Sequence, residues 1–178
     1  HAGEAFGANY ELPNMTAYNE TCAAISMVYL FERMFLLHGE SKYIDCLERT
    51  LYNGVISGMS MDGGRFFYPN PLSSDGKYKF NSDGNTTRQP WFGCACCPSN
   101  LCRFIPSVPG YLFGVKDNNI YVNLFAGNTS TIKVGGKNVV LEETTEYPWD
   151  GDIKITVKKS AAKNANLLVR IPGWVRNQ

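Results

Sequence analysis

Apolar residues recur at intervals of three and four from Ile25 through Val28, Phe31, Met34, Phe35 and Leu37, which predicts a largely buried helix. Gly39 supplies a natural C-terminal stop. Ser41 can cap a second helix, whose stripe is Tyr43, Ile44, Leu47, Leu51, Val55 and Ile56. A link this short implies an antiparallel helix pair. Gly63-Gly64 breaks the pattern, and Arg65 to Tyr68 reads as a short strand ending at the prolines 69 and 71. Residues 72–90 are rich in Ser, Asp, Gly, Asn and Thr and predict a loop. Pro98 fits the first turn of a further helix carrying Leu101, Phe104 and Ile105, which Pro106 and Pro109 then disturb.

The texture changes after Val115. Short apolar runs at 120–126, 130–134, 139–147, 153–158 and 167–171 are separated by Gly127-Asn128, Gly135-Gly136, Asp150-Gly151 and Lys163-Asn164. Ile153, Ile155 and Val157 alternate with Lys154, Thr156 and Lys158, the pattern of a half-buried strand. The expected fold class is α+β, with helices over residues 1–115 and an antiparallel sandwich, or its beginning, over 116–178.

Composition narrows the function classes. A net charge of +1 over 178 residues gives no electrostatic case for nucleic acid or an anionic membrane. The longest apolar run, Cys22 to Phe31, is ten residues and ends at Glu32-Arg33, too short to span a bilayer. No signal-peptide pattern is visible at His1-Ala2-Gly3-Glu4. The functional-looking residues begin at position 4 with no preceding element to support them, which reads as a piece of a longer protein.

Six cysteines are present, and Cys94, Cys96, Cys97 and Cys102 lie within nine residues. A chain of this length and apolar content does not need disulfide staples, so a metal or reactive-thiol cluster is the better reading. Unpaired cysteines favour a reducing, cytoplasmic compartment. Thiolates with one carboxylate suit zinc, and two clusters offer them: Asn19-Glu20-Thr21-Cys22 and Cys94-Ala95-Cys96-Cys97-Pro98. On a regular helix Glu20 and Cys22 point about 200° apart, so the segment 19–22 is expected to be non-helical or a distorted first turn. Cys96 and Cys97 precede the helix-starting Pro98, where the helix dipole lowers thiol pKa values and favours a nucleophilic thiolate. Spacing alone leaves three readings open: buried thiols without metal, a structural zinc site, or a catalytic one. Cys46 and Cys102 read as core positions, and His38 as a surface residue at a helix end.

Longer motifs add a resemblance. The segments Gly3-Glu4-Ala5-Phe6-Gly7, Tyr10-Glu11-Leu12-Pro13-Asn14 and Ala17-Tyr18-Asn19-Glu20-Thr21-Cys22-Ala23 resemble glycoside hydrolase family 127, the β-L-arabinofuranosidases. So do Phe66-Phe67-Tyr68-Pro69-Asn70-Pro71, Arg88-Gln89-Pro90-Trp91-Phe92, Cys94 to Asn100, and Leu167 to Trp174. The resemblance implies the end of an (α/α)6 catalytic barrel followed by a β-sandwich. It implies a zinc ion, Zn2+, held by Glu20, Cys22, Cys96 and Cys97, with Cys96 as nucleophile and Glu4 as general acid/base. Tyr68 is then a substrate contact, Cys94 borders the same pocket, and Trp91 is the best candidate to stack on a sugar. The implied activity is exo-acting, retaining hydrolysis of a carbohydrate of the arabinofuranoside type. Further sugar-binding residues are expected upstream of the matched segment, so the isolated 178 residues should be weakly active at most. The competing reading is a non-catalytic, zinc-stabilised carbohydrate-binding or structural module. The position of Glu4 relative to Cys96 separates the two.

Overall fold

The computed structural model describes residues 4–176. The N-terminal reading at His1 to Gly3 lies outside the described residues.

Helix α1 spans Thr21–His38 and ends on Gly39, whose φ of 71° lets its N–H reach back to the Phe35 carbonyl at 2.7 Å. It is long enough to cross a bilayer, but Thr21, Ile25, Val28 and Phe35 are buried in the protein's own core. Its start is set from outside the helix. Glu20 is extended and forms an antiparallel bridge with Pro69, while the Thr21 N–H donates to the Tyr68 carbonyl at 3.0 Å.

Helix α2 spans Ser41–Thr50. Ser41 is its first helical residue, not its cap: Glu40 takes the N-cap position and no side chain caps the end. The predicted stripe runs past the helix. Leu51–Val55 widens into a π turn and Ile56–Gly58 tightens into a 3-10 turn, yet Leu51 and Val55 stay buried. A Cβ at Gly54 would sit 2.9 Å from Ala24, and one at Gly58 would sit 2.7 Å from the Thr21 hydroxyl. Those two glycines let the turns press against α1.

No strand forms at 65–68. Phe66 instead makes isolated bridges to Met59 and Gln89, which tie the long loop to the helical layer. The Asn81 side chain completes the tie, accepting the Tyr68 N–H at 2.8 Å and donating to the Phe66 and Thr87 carbonyls. Helix α3 spans Cys96–Phe104, and Pro106 and Pro109 convert its continuation into a 3-10 segment at Ile105–Tyr111. The helical core gathers Ile25, Val28, Leu47, Val55, Leu101 and Phe104. Each such leucine contributes about 2 kcal/mol through burial.

Six strands follow: β1 Phe113–Lys116, β2 Asn119–Val122, β3 Asn128–Val134, β4 Lys137–Thr145, β5 Ile153–Ser160 and β6 Asn166–Val169. They form two three-stranded sheets, ordered β1-β2-β6 and β3-β4-β5. The mixed α+β class is as the sequence suggests, but two details differ. Strand β1, hidden in the proline-rich stretch, pairs with β2 through a tight turn at Asp117. Strand β6 pairs with β2 in parallel, so the sheets are not uniformly antiparallel. The alternation expected in β5 is only half realised: Ile153 and Ile155 are half-buried, but Val157 is exposed. A second core of Ile120, Ile132, Val134, Val139 and Leu141 lies between the sheets' residues.

Candidate metal centre and its neighbouring carboxylate

Two helix N-termini meet at one point. Glu20 is the N-cap of α1 and Cys22 its second residue, while Cys96 and Cys97 are the first two residues of α3. Glu20 is extended and Asn19 before it takes a left-handed φ of 37°, so the expected non-helical break falls at residues 19–20, while Thr21 and Cys22 already belong to α1. That kink and the Glu20–Pro69 bridge turn the Glu20 carboxylate to the same side as the Cys22 thiol.

One ligand atom from each of Glu20, Cys22, Cys96 and Cys97 lies within 4.8 Å of all the others. The Cys22 and Cys97 sulfurs are 3.5 Å apart, and those of Cys96 and Cys97 are 3.8 Å apart. Glu20 Oε1 is 3.9 Å from the Cys96 sulfur and 3.8 Å from that of Cys97. None of these is a disulfide, and all six cysteines are free. A tetrahedron with metal–sulfur arms of about 2.3 Å has edges of about 3.8 Å, so four such donors fit a tetrahedral ion. The cluster could hold a metal ion without rearrangement.

The electrostatics point the same way. Burial pushes the Cys22 thiol up to about 11, against hydrogen bonds from Asn100 and Cys97 that favour its anion. Burial also drives Cys97 far above the usual thiol range, and Cys97 is fully buried. Glu20 is raised as well, first by burial and then by the charge of Glu4. The helix-dipole effect expected from the sequence is therefore outweighed by desolvation at Cys22 and Cys97. Four acidic groups converge, and among the described residues no Lys or Arg forms an ion pair with any of them. Such a donor set could hold a cation, which would favour the thiolate forms that burial alone disfavours.

Glu4 stands beside this cluster. Its carboxylate Oε1 accepts hydrogen bonds from the Tyr68 hydroxyl at 2.6 Å and the Tyr18 hydroxyl at 3.3 Å. Tyr68 is buried, and its hydroxyl is held in the neutral form far above the ordinary phenol range by hydrogen bonding to Cys96 and then to Glu4. The Tyr68 carbonyl lies 3.9 Å from the Cys97 sulfur, so the residue that holds Glu4 also borders the four-donor cluster. Trp91 is 62% exposed and Cys94 is exposed, both on the loop that leads into α3. Among the described residues neither makes a hydrogen bond to the cluster.

Sequence reasoning passed over Tyr18, Thr21 and Asn100. Tyr18 is two residues before Glu20, on the other side of the left-handed kink at Asn19. Thr21 is fully buried and donates to the Phe67 and Tyr68 carbonyls at 3.0 and 3.2 Å, which anchors Tyr68. Asn100 is one helical turn beyond Cys96, so the i, i+4 rule could have found it.

The fold and donor set define a candidate soft-metal site at two helix N-termini, with a phenol-held carboxylate nearby. The comparisons with known proteins give that class a family. Residues 1–110 match the family described as "Beta-L-arabinofuranosidase, GH127 catalytic domain", and residues 119–178 match its middle domain. The chain belongs to glycoside hydrolase family 127. It is 37% identical to the non-reducing end beta-L-arabinofuranosidase of Bifidobacterium longum subsp. longum, over 99% of this chain and 28% of that protein. A solved GH127 beta-arabinofuranosidase is 60% identical, with a TM-score of 0.90, covering 99% of this chain and 26% of that one. The GH127 beta-L-arabinofuranosidase of Geobacillus stearothermophilus is 43% identical, with a TM-score of 0.85, covering 97% of this chain and 28% of that one. The chain thus spans about a quarter of the length of the relatives it matches.

Proposed function

We propose that this chain carries the catalytic centre of a retaining, exo-acting β-L-arabinofuranosidase. The observation that carries the reading is the placement of a second carboxylate beside the four-donor cluster: Tyr68 holds Glu4 through its hydroxyl at 2.6 Å, and its own carbonyl lies 3.9 Å from the Cys97 sulfur. A purely structural zinc module has no use for a second carboxylate held there. The activity for which the relatives are named supports the sugar class, an arabinofuranoside at a non-reducing end.

Glu20, Cys22, Cys96 and Cys97 hold the metal, and the soft donor set favours zinc. When bound, zinc keeps the thiols as thiolates at neutral pH, although coordination also damps their nucleophilicity. Cys96 sulfur attacks the anomeric carbon while Glu4 delivers its proton to the departing glycosidic oxygen. The C–O bond breaks, a C–S bond forms, and a thioglycoside links the sugar to Cys96. Water then attacks the same carbon, Glu4 takes its proton, and the thiolate of Cys96 is released. Two inversions at one carbon give net retention. Tyr68 orients Glu4 and lies where a sugar hydroxyl can reach it. Cys94 and Trp91, exposed on the adjacent loop, border the sugar site.

We assign residues 1–115 to the end of an (α/α)6 barrel and 116–178 to part of a β-sandwich, a division that the two family matches support. The test uses Cys96→Ser and Glu4→Gln in the full, zinc-loaded protein. Cys96→Ser is expected to abolish hydrolysis and lower zinc content. Glu4→Gln is expected to keep zinc and to lose activity by about a hundredfold or more on substrates with poor leaving groups. Hydrolysis by Cys96→Ser at the parent rate, or product of inverted configuration in the first NMR spectra, contradicts the reading.

A further inference from the structure

We propose that Tyr18 is a positioning residue that, with Tyr68, fixes which oxygen of Glu4 handles the proton. The inference rests on the reading of Glu4 as acid/base and adds a residue that the reading does not need.

Glu4 sits on an exposed stretch. Residues 4–16 are all exposed, and Glu4 itself takes a positive φ of 57°, which few side-chain-bearing residues adopt. The backbone bonds of residues 5–12 stay within the stretch, as in Glu11 N–H to the Ala8 carbonyl. Leu72 and Ser73 N–H hold the Asn14 carbonyl at 2.9 and 3.0 Å, but among the described residues the hydrogen bonds from the folded body to residues 4–12 come from two phenols, Tyr18 and Tyr68. Both hydroxyls donate to the same oxygen, Oε1. Oε2 accepts from neither, so it is the oxygen left to carry a proton to a leaving group and to take one back from water. A single donor allows the carboxylate to swing about that bond. Two donors from different directions remove the freedom.

The phenols are themselves fixed. Their rings stand 6.1 Å apart at 59°, and Tyr68 packs at 6.1 Å on Phe92. Tyr18 is half-buried, and its neighbours in the chain are held: the Ala17 N–H donates to the Pro13 carbonyl at 2.8 Å, and the carbonyls of Tyr18 and Asn19 accept from the Asn70 N–H. Tyr18 therefore reaches Glu4 from the segment that also places Glu20. The same backbone kink at Asn19 sets both the metal ligand and the support for the acid. This arrangement is the one that a reaction needing sub-ångström placement of its proton donor requires.

The test is Tyr18→Phe in the full, zinc-loaded chain, which removes one hydroxyl and keeps the ring packing. Two substrates are compared: an arabinofuranoside with a 4-nitrophenyl leaving group, which departs without a proton, and a methyl or sugar glycoside, which needs one. The expected result is a loss in kcat of about a hundredfold on the poor leaving group, a much smaller loss on the 4-nitrophenyl substrate, and unchanged zinc content. A crystal structure of the variant gives a reading independent of activity and is expected to show the Glu4 carboxylate displaced while Glu20 and the cysteines stay in place. Equal losses on both substrates, loss of zinc, or an unmoved Glu4 overturns the proposal. Glu4→Gln run alongside separates the failures. If Glu4→Gln loses the poor leaving group and Tyr18→Phe does not, the positioning role alone is wrong. If Glu4→Gln behaves as the parent on both substrates, the acid/base assignment itself is wrong.

Discussion

Two buried polar clusters in this chain solve opposite charge problems. One joins the helical layer to the sheets. Arg170, buried, bonds Asp45 Oδ1 at 2.8 Å, Glu48 Oε1 at 2.6 Å and the Asn123 carbonyl at 2.6 Å. Arg176 also pairs with Asp45, and the Tyr147 hydroxyl donates to Glu48 at 3.1 Å. Two guanidinium groups meet two carboxylates, so the cluster is neutral within itself. The other cluster brings Glu20 and three thiols together with Glu4 nearby, and among the described residues neither Glu20 nor Glu4 forms an ion pair. The first is balanced as the chain folds; the second gathers donors that could hold a cation from outside. That contrast, more than the spacing of the cysteines, separates the candidate metal site from the structural ion-pair cluster.

The largest effect should come from breaking the unbalanced cluster. Binding of a structural zinc is worth about 10 kcal/mol or more, so removing Cys97, the fully buried donor, should leave the protein without metal. Elemental analysis of Cys97→Ala checks this, and the Asp45–Arg170 cluster should be untouched. Breaking the balanced cluster should instead cost stability and spare the metal. Arg170→Met leaves two carboxylates without their buried partner, which should cost about 3–5 kcal/mol in urea unfolding with zinc content unchanged.

Glu143 offers a case between the two. It is buried on β4, Asn128 donates to its Oε2 at 3.2 Å, and its Oε1 has no partner. Burial pushes its carboxyl up to about 7 from an unfolded value of 4.5. The folded protein then binds this proton more tightly than the unfolded chain does. Its stability is fully present below pH 4.5 and is lost as pH rises through 7. The loss should be about 2–3 kcal/mol between those limits, and Glu143→Gln should flatten the profile in thermal melts across pH 4.5–8. The smallest effect belongs to Ser41→Ala. A capping serine is worth about 1 kcal/mol, but Ser41 makes no cap bond, so its removal should shift stability by less than about 0.5 kcal/mol.

How far each cluster was legible in the sequence follows from its reach along the chain. The two segments that meet at 20, 22, 96 and 97 were readable as candidates because each pair is close in sequence and sits where a helix begins, at Thr21 and just before Pro98; that these four residues form one set came from the family resemblance. Helix ends were readable too, because Gly39 and the prolines act locally. The Asp45–Arg170 cluster was invisible, since its partners are 125 residues apart and ordinary charged residues carry no motif. The parallel pairing of β6 with β2 was hidden for the same reason. Strand β1 was missed because Phe113 to Lys116 follows prolines and is only four residues long. The Arg65–Tyr68 stretch is apolar like a strand, but Asn81 and Gln89 satisfy its backbone in place of a sheet. Tyr18 went unread because a tyrosine in an extended segment is more often packing than function; only the 3.3 Å contact with Glu4 separates the two.

The central claim is that a cation binds where Glu20, Cys22, Cys96 and Cys97 converge. X-ray absorption at the zinc edge, with metal quantified per chain, tests it most directly. One zinc per chain with three sulfur neighbours at about 2.3 Å and one oxygen is the predicted result. A metal-free protein, a nitrogen- or oxygen-dominated shell, or a Cys22–Cys97 disulfide in the folded state contradicts it.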